Sequence, residues 1–273
     1  MTITVTGATG HLGQLILTEL KGYDVRAVAR RPEAIEGVEA RLGDYDRPET
    51  LASAFAGTDT LVFISASEVG RREAQHRAVI EAAVEAKVGR IVYTSITHAD
   101  TSPIPIAPEH KTTEALLKDS GIPYTFLRNN WYFENYTGNL AGTVEHGVVI
   151  GSAGDGRIAA ATRADYAAAT AVVARTEGHE NKIYELGGDQ AFTMSEFAEA
   201  VAQRFGKPVA YQDLPVADYA KALEGFGVPS AFADVLAHSD AAIAKGALDV
   251  VTGDLSRLIG RPTITLAEFL RQL

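Results

Sequence analysis

The sequence predicts an α/β fold, a doubly wound parallel sheet over most of the chain followed by a smaller C-terminal α+β unit. Short β-branched or continuously apolar runs at 3–6, 23–29, 40–45, 60–64, 90–93 and 123–128 alternate with longer stretches of helical periodicity. That is the pattern of strands covered on both faces by crossover helices. The first run passes straight into Gly7, Gly10 and Gly13 and then into a helix, and from Phe192 onward the alternation gives way to small helices around one short strand.

The opening stretch Ile3-Thr4-Val5-Thr6-Gly7-Ala8-Thr9-Gly10-His11-Leu12-Gly13, followed by the apolar-periodic run 14–20, is laid out to hold an anion on helix amides. A side chain at the first glycine would block the corner, one at the second would keep the backbone from a pyrophosphate, and one at the third would push the helix off the sheet. The spacing is G-x-x-G-x-x-G, one residue longer at the corner than G-x-G-x-x-G, which points to a different dinucleotide-binding branch. An ordinary glycine-rich turn is the alternative, and the strand before and helix after favour a Rossmann-type NAD(P)-binding corner formed by Gly7, Ala8, Thr9, Gly10, His11, Leu12 and Gly13.

The second strand, 23–29, ends at Arg30-Arg31-Pro32, where an NAD enzyme would place an acid for the ribose hydroxyls. Guanidinium groups favour a 2′-phosphate instead, so NADPH/NADP+ is the expected cofactor, with Arg30 or Arg31 as its ligand. The other reading is a pair of solvated loop charges.

The third strand, 40–45, ends in Asp44 and Tyr45, expected beside the adenine, although a simple loop acid is an equal reading for Asp44. Asp46 with Glu49 is spaced as a capping box for a helix over 48–56, and Gly57 follows its end. The run 60–64 ends at Ser65, Ala66 and Ser67, small enough to let a ribose and phosphate approach. An Ala-rich helix over 73–87 leads to Gly89 and the strand 90–93. The Pro- and Ser-rich stretch 94–108 reads as a functional loop, the stretch 109–120 as a helix, and 123–128 as the next strand.

Asn129, Asn130, Trp131, Tyr132, Phe133 and Glu134 follow that strand. Ligands in such sheets lie beyond the carboxyl ends of the strands, so this stretch faces the cofactor's reactive end. Asn129, Asn130 and Trp131 are expected on the cofactor side, and Tyr132, Phe133 and Glu134 on the substrate side. Core packing is the alternative for Trp131 and Phe133. Asp165 is placed to cap a helix over 166–175, the stretch 182–187 reads as a strand, and Thr193 with Glu196 and Thr265 with Glu268 are spaced as capping boxes. The predicted division is 1–190 for the NADP-binding part, with 136–160 contributing to the substrate cleft, and 191–273 for a smaller unit that closes over the substrate.

Hydrophobic residues at 46% and charged residues at 22% are globular values. A net charge of -10 argues against a nucleic-acid or anionic-membrane surface. The absence of cysteine excludes disulfides, thiol catalysis and thiolate metal sites, and the seven histidines show no metal-ligand spacing, so no metal is expected. No apolar run approaches a membrane span, and Met1 leads directly into the first strand, giving a cytoplasmic expectation. The oligomeric state stays open, a homodimer included.

The T-G-A-T-G-x-L-G opening, Arg30, the turn 65–70, Tyr93-Thr94-Ser95, His110 with Glu114, the stretch 121–125 before Leu127-Arg128-Asn129, and Arg163-Ala164-Asp165-Tyr166-Ala167 together resemble the NmrA-like atypical short-chain dehydrogenases. Within them the likeness is greatest to the bacterial NADPH:quinone oxidoreductases of type 2, and it covers essentially the whole chain. The resemblance implies a two-domain NADPH-dependent quinone reductase without flavin. It implies Gly7, Gly10, His11 and Leu12 at the pyrophosphate, Arg30 at the 2′-phosphate, the 65–67 turn at the ribose side and 129–134 near the nicotinamide. In that family position 130 is commonly glycine, where this chain has Asn130.

Ordinary short-chain dehydrogenases place a Tyr four residues before a Lys, whose charge lowers the phenol pKa. In the register set by Glu114, those positions hold Ile106 and His110. Carbonyl reduction needs that proton during hydride transfer, whereas a quinone delocalises the charge until solvent protonates it, so the missing dyad favours a quinone or another electron-poor conjugated acceptor. His110 is the candidate catalytic group, as a charge-switching partner of the developing oxyanion. It could equally bind the nicotinamide ribose or be a surface histidine. Lys111 points away from it and is expected to be solvated. The rival functions are an NADP(H)-binding redox sensor without turnover and a reductase of a dye or enone.

Overall fold

The computed structural model describes residues 1–273. β1 (Ile3–Val5) passes through the glycine corner into α1 (His11–Glu19), and β2 (Val25–Ala29) and β3 (Glu39–Leu42) follow. Next come α2 (Leu51–Phe55), β4 (Thr60–Phe63), α3 (Arg72–Glu85), β5 (Arg90–Ile96), α4 (Ala107–Asp119) and β6 (Tyr124–Asn129). The chain continues through α5 (Leu140–His146), β7 (Val148–Gly151), α6 (Arg163–Arg175), β8 (Lys182–Leu186), α7 (Met194–Phe205) and β9 (Ala210–Asp213). It ends with α8 (Val216–Gly225), α9 (Ser230–Ile243), α10 (Asp254–Ile259) and α11 (Leu266–Arg271).

Seven parallel strands form the main sheet in the order β3-β2-β1-β4-β5-β6-β8. Every residue of β4 and β5 is buried, whereas edge strand β3 buries none, which is why the apolar run is continuous at 60–64 and broken by charges at 39–42. On one face α1 and α6 close a core of Ile3, Val5, Ile16, Leu20 and Tyr166. On the other, α2, α3 and α4 bring Leu51, Phe55, Val79 and Leu117 onto Phe63 and Phe126. This is the Rossmann-type sheet expected from the sequence.

Three local expectations are corrected. The strand predicted over 90–93 runs to Ile96, because Thr94 and Ser95 are buried in register with Leu127 and Arg128 of β6, so the loop begins after it. Asp46 and Glu49 form no capping box: Asp46 accepts from Arg71 at 2.7 Å and Gln75 at 3.1 Å, Glu49 pairs with Arg47, and a 3₁₀ turn (Pro48–Thr50) precedes α2. The cap of α6 is Thr162, whose hydroxyl accepts from the Asp165 amide at 3.0 Å; Asp165 is buried in the first turn, where it accepts from the Ile264 amide. The capping boxes of Thr193 with Glu196 and of Thr265 with Glu268 are both formed.

A second, two-stranded sheet pairs β7 with β9 in parallel, so the smaller lobe draws on 140–151 as well as on the chain after 191. Its core gathers Phe133, Phe192, Phe197, Ile243 and Phe269. α10 crosses back to the main sheet, where Leu255 joins the first core. No helix is long and apolar enough to cross a membrane.

Candidate active-site cleft

Strand order reverses between β1 and β4, and crossovers leaving in opposite directions open a crevice there beyond the carboxyl ends of the strands. A cavity of about 630 Å³ occupies that position, walled by the ends of β1 to β6 and by the 129–135 segment.

The glycine corner is built for close approach. Gly7 has φ +60°, and a Cβ on Gly13 would stand 2.3 Å from the Gly7 carbonyl oxygen and 2.8 Å from Ala8 Cα, so the turn can fold onto the helix only without that carbon. The Gly10 amide closes the turn on the Gly7 carbonyl at 2.9 Å, while the amides of Thr9, His11 and Leu12 find no acceptor within the chain. These three residues line the cavity with Gly7, Gly10 and Gly13. Free amides at a helix N-terminus, with no side chain in the way, fit a diphosphate. Ala8 is an exception: it is buried away from the cavity and its amide donates to the Val28 carbonyl at 3.3 Å.

Of the two arginines only Arg30 lines the cleft, with its side chain 72% exposed and Glu68 at 4.0 Å; Arg31 lies outside the lining. Asp44 and Tyr45 line the same end, and the Tyr45 hydroxyl, 2.5 Å from the Thr6 hydroxyl, donates to the Ile64 carbonyl at 2.9 Å, joining the ends of β1 and β4. Ser65, Ala66 and Ser67 all line the cavity. Their turn is pinned from below by the Ser65 amide on Thr94 at 3.0 Å, the Ala66 amide on His76 Nε2 at 2.9 Å and Arg72 Nε on the Ala66 carbonyl at 2.8 Å.

At the other end Asn129, Asn130, Trp131 and Tyr132 line the cavity, and Phe133 and Glu134 do not. Asn130 turns its amide onto the Leu248 carbonyl at 3.1 Å and accepts from the Trp131 amide at 2.7 Å, which accommodates a side chain at a position the resemblance gives to glycine. Tyr132 carries the Arg163 guanidinium over its ring at 4.8 Å. Phe133 is a core residue stacked on Phe269 with ring centroids 5.3 Å apart, and Glu134 accepts from the Arg163 amide at 2.9 Å, satisfying a free donor in the first turn of α6.

His110 corrects two of its expected readings. It is 4% exposed, so it is no surface histidine, and burial, assisted by the Arg72 cation, pushes its pKa down to about 3, so it stays neutral near physiological pH. It lines the cavity and meets the Tyr93 hydroxyl with Nδ1 at 2.8 Å. Ile106 also lines the cavity, so the position of the missing phenol is an apolar wall. Lys111 is exposed, with Nζ on the Asp100 carbonyl at 3.2 Å.

Sequence reasoning missed Arg72, Gln75, Thr94, Ser95, Asn135 and Arg163, which all line the cleft. Arg72 is 5% exposed and pairs with Glu109 at 2.7 Å, tying α3 to the first turn of α4. A signal existed for it: Arg72, Gln75, His76 and Val79 follow the i, i+3, i+4, i+7 spacing of one buried helical face. No group of three or more His, Cys, Asp or Glu side chains is arranged to hold a metal ion.

Comparison with known proteins places this geometry among relatives. The NAD(P)H-binding family matches residues 7–177. The chain is 49% identical to quinone oxidoreductase 2 of Escherichia coli (strain K12), over 99% of this chain and 98% of that protein. It superposes with a TM-score of 0.96 on the crystal structure of an NADPH-dependent quinone oxidoreductase from Escherichia coli complexed with NADPH, at 49% identity and 99% coverage of both chains. The Citrobacter sp. triphenylmethane reductase complexed with NADP(H) gives a TM-score of 0.94 at 39% identity, again covering 99% of each chain.

Proposed function

The chain belongs to the NAD(P)H-binding, NmrA-like family, and on that premise we propose that it is an NADPH-dependent reductase that passes hydride directly to a quinone or a similar electron-poor conjugated acceptor, without flavin. The observation that carries this reading is the reactive end of the cleft, where Ile106 replaces the phenol of the usual dyad and His110 is neutral. A cleft with no strong proton donor suits an acceptor that can hold the charge it receives.

NADPH bound here supplies a hydride, two electrons and one proton. The residues divide the remaining work. The free amides of the glycine corner hold the diphosphate, Arg30 meets the 2′-phosphate, and Ser65, Ala66 and Ser67 shape the ribose side. Asn129, Asn130 and Trp131 flank the nicotinamide end, and Ile96, Ile106, Trp131 and Tyr132 wall the acceptor site. Phe133 and Glu134 support that wall from behind, Phe133 through the small lobe and Glu134 through Arg163. The smaller lobe contributes no side chain to the cavity wall and backs it through Phe133. A quinone that has gained hydride is a hydroquinone anion, its charge spread over the ring, and takes its second proton from solvent. The reading also takes the site of action as cytoplasmic.

Steady-state oxidation of NADPH against a panel of quinones, dyes and enones tests the proposal. The expected result is turnover with benzoquinone or menadione well above the rate without acceptor. Equal rates with and without every quinone would end the reading. The triphenylmethane reductase among the similar structures makes a dye the first acceptor to compare.

A further inference from the structure

Two histidines beneath the cleft meet different partners. His76 Nε2 lies 2.9 Å from the Ala66 amide, which can only donate, so Nε2 is an acceptor and the proton of the neutral ring sits on Nδ1. That proton goes to Thr113 Oγ1 at 2.8 Å, and the Thr113 hydroxyl donates onward to the Glu109 carbonyl at 2.8 Å. Each polar atom in this chain is used.

His110 differs. Tyr93 is fully buried with its hydroxyl 2.8 Å from His110 Nδ1, and the Thr113 hydroxyl that also neighbours it is already engaged, accepting from His76 and donating to the Glu109 carbonyl. A phenol proton in such a place must be donated, since leaving a buried O–H unpaired is costly. Nδ1 is therefore the acceptor and the ring proton lies on Nε2. Nε2 has no partner in the chain and is not among the sealed polar atoms, and His110 lines the cleft one helical turn from Ile106. The N–H is open to whatever occupies the acceptor end.

We propose that Tyr93 is a positioning residue that locks His110 as an Nε2–H tautomer, making the neutral imidazole a fixed hydrogen-bond donor to the acceptor oxygen that gains charge. Resting on the quinone-reductase reading, this names the group that meets the developing oxyanion. The hydride carries two electrons and one proton to the quinone, the resulting anion accepts the Nε2–H hydrogen bond, and water delivers the second proton. His110 keeps its own proton throughout. A neutral donor of this kind stabilises charge without having to be recharged between turnovers.

Nitrogen-edited NMR of the NADP+-bound protein, with the His110 signals assigned from a His110→Gln variant, reads the tautomer without any turnover. The expected spectrum has His110 protonated at Nε2 and accepting at Nδ1, with His76 the reverse. In Tyr93→Phe, His110 should lose that preference, and kcat with menadione should fall about tenfold, as for the loss of one oriented hydrogen bond, while Kd for NADPH is unchanged. An Nδ1–H tautomer in the unaltered protein overturns the proposal, and that spectrum decides the matter even if Tyr93→Phe does not fold. A parallel loss of NADPH affinity in a folded Tyr93→Phe also overturns it, because His110 would then serve the cofactor. Absence of quinone turnover in the unaltered protein would instead remove the functional reading while leaving the tautomer to be read by NMR.

Discussion

His76 Nε2 receives the Ala66 amide proton at 2.9 Å, joining the buried face of α3 to the Ser65, Ala66, Ser67 turn at the floor of the cleft. Replacing the ring by one of similar size without nitrogen, His76→Phe, strands that amide and the Thr113 hydroxyl contact together. The expected cost is about 2–3 kcal/mol of stability, read from urea unfolding, because the Ala66 amide is left without its acceptor and the Thr113 oxygen without its donor. NADPH affinity should fall severalfold as the turn loosens. An unchanged unfolding midpoint would mean that the turn is held elsewhere.

The same histidines set a pH dependence. Burial, then the neighbouring positive groups, lowers the pKa of His76 to about 2 and that of His110 to about 3, against about 6.5 in the unfolded chain. The groups around them are Arg72 with Glu109, Tyr45, Tyr93 and Glu114, and Arg72 acts in the same downward direction. With folded values depressed, the unfolded chain binds more protons below pH 6.5, so stability is complete above that pH and falls as pH drops through it. Each ring contributes about 1.4 kcal/mol per pH unit. Asp240 acts oppositely: burial raises it to about 6 from 3.8, so the folded chain gains a proton between those values and returns about 1.4 kcal/mol per unit. At pH 6.5 the unfolded rings are only half-protonated, and as they approach full slope Asp240 returns about half of it, so the expected net loss is about 1 kcal/mol per unit near pH 6.5 and about 1.4 from pH 6 to 5. Urea midpoints followed from pH 7 to 5 check this, and a flat profile would contradict neutral buried histidines.

Arg30 alone among the two consecutive arginines reaches the cleft. Arg30→Ala should weaken NADPH by about 1.5–3 kcal/mol and leave NADH nearly unaffected, the loss of one charge-assisted contact to a phosphate. Since the side chain is largely exposed, the effect should shrink as salt is raised. Arg31→Ala should change neither affinity. Equal losses for both cofactors on Arg30→Ala, measured by equilibrium titration, would remove the 2′-phosphate assignment.

How much of this was legible in the sequence follows from how local each signal is. The glycine corner, the place of Arg30 at the cleft and the capping boxes of Thr193 and Thr265 were readable because their causes lie within a few residues. Asp46 misled because its carboxylate is drawn to Arg71 and Gln75 on α3, a tertiary pull that the Asp46–Glu49 spacing cannot reveal. Asp165 misled because Thr162 offers its hydroxyl one turn earlier. Phe133 and Trp131 are two positions apart in one aromatic stretch, yet only Trp131 faces the cavity, since the chain there is extended and then turns. The pairing of β7 with β9 joins two short strands about sixty residues apart in sequence and leaves no periodicity to read.

A buried ion pair anchors the ends of β5 and β6. Arg128 grips both oxygens of Glu114 at 2.9 and 2.7 Å, Ser95 donates to the same carboxylate at 2.7 Å, and Arg128 also reaches Glu185 at 2.8 Å and Asp100 at 3.1 Å. The two partners are not equivalent. Glu114→Ala leaves Arg128 with two carboxylates, whereas Arg128→Ala leaves Glu114, 3% exposed, with only a serine hydroxyl. Removing one member of a buried pair costs about 3–5 kcal/mol, so Arg128→Ala should lie near the top of that range and Glu114→Ala near or below its bottom. Ser95 lines the cleft, so both variants should also disturb the acceptor end and lower kcat more than NADPH affinity. In the double variant the stranded carboxylate is gone, so its loss should be well below the sum of the two single losses and no greater than that of Arg128→Ala alone. Additive losses in that cycle, measured by urea unfolding, would show that the two charges act independently.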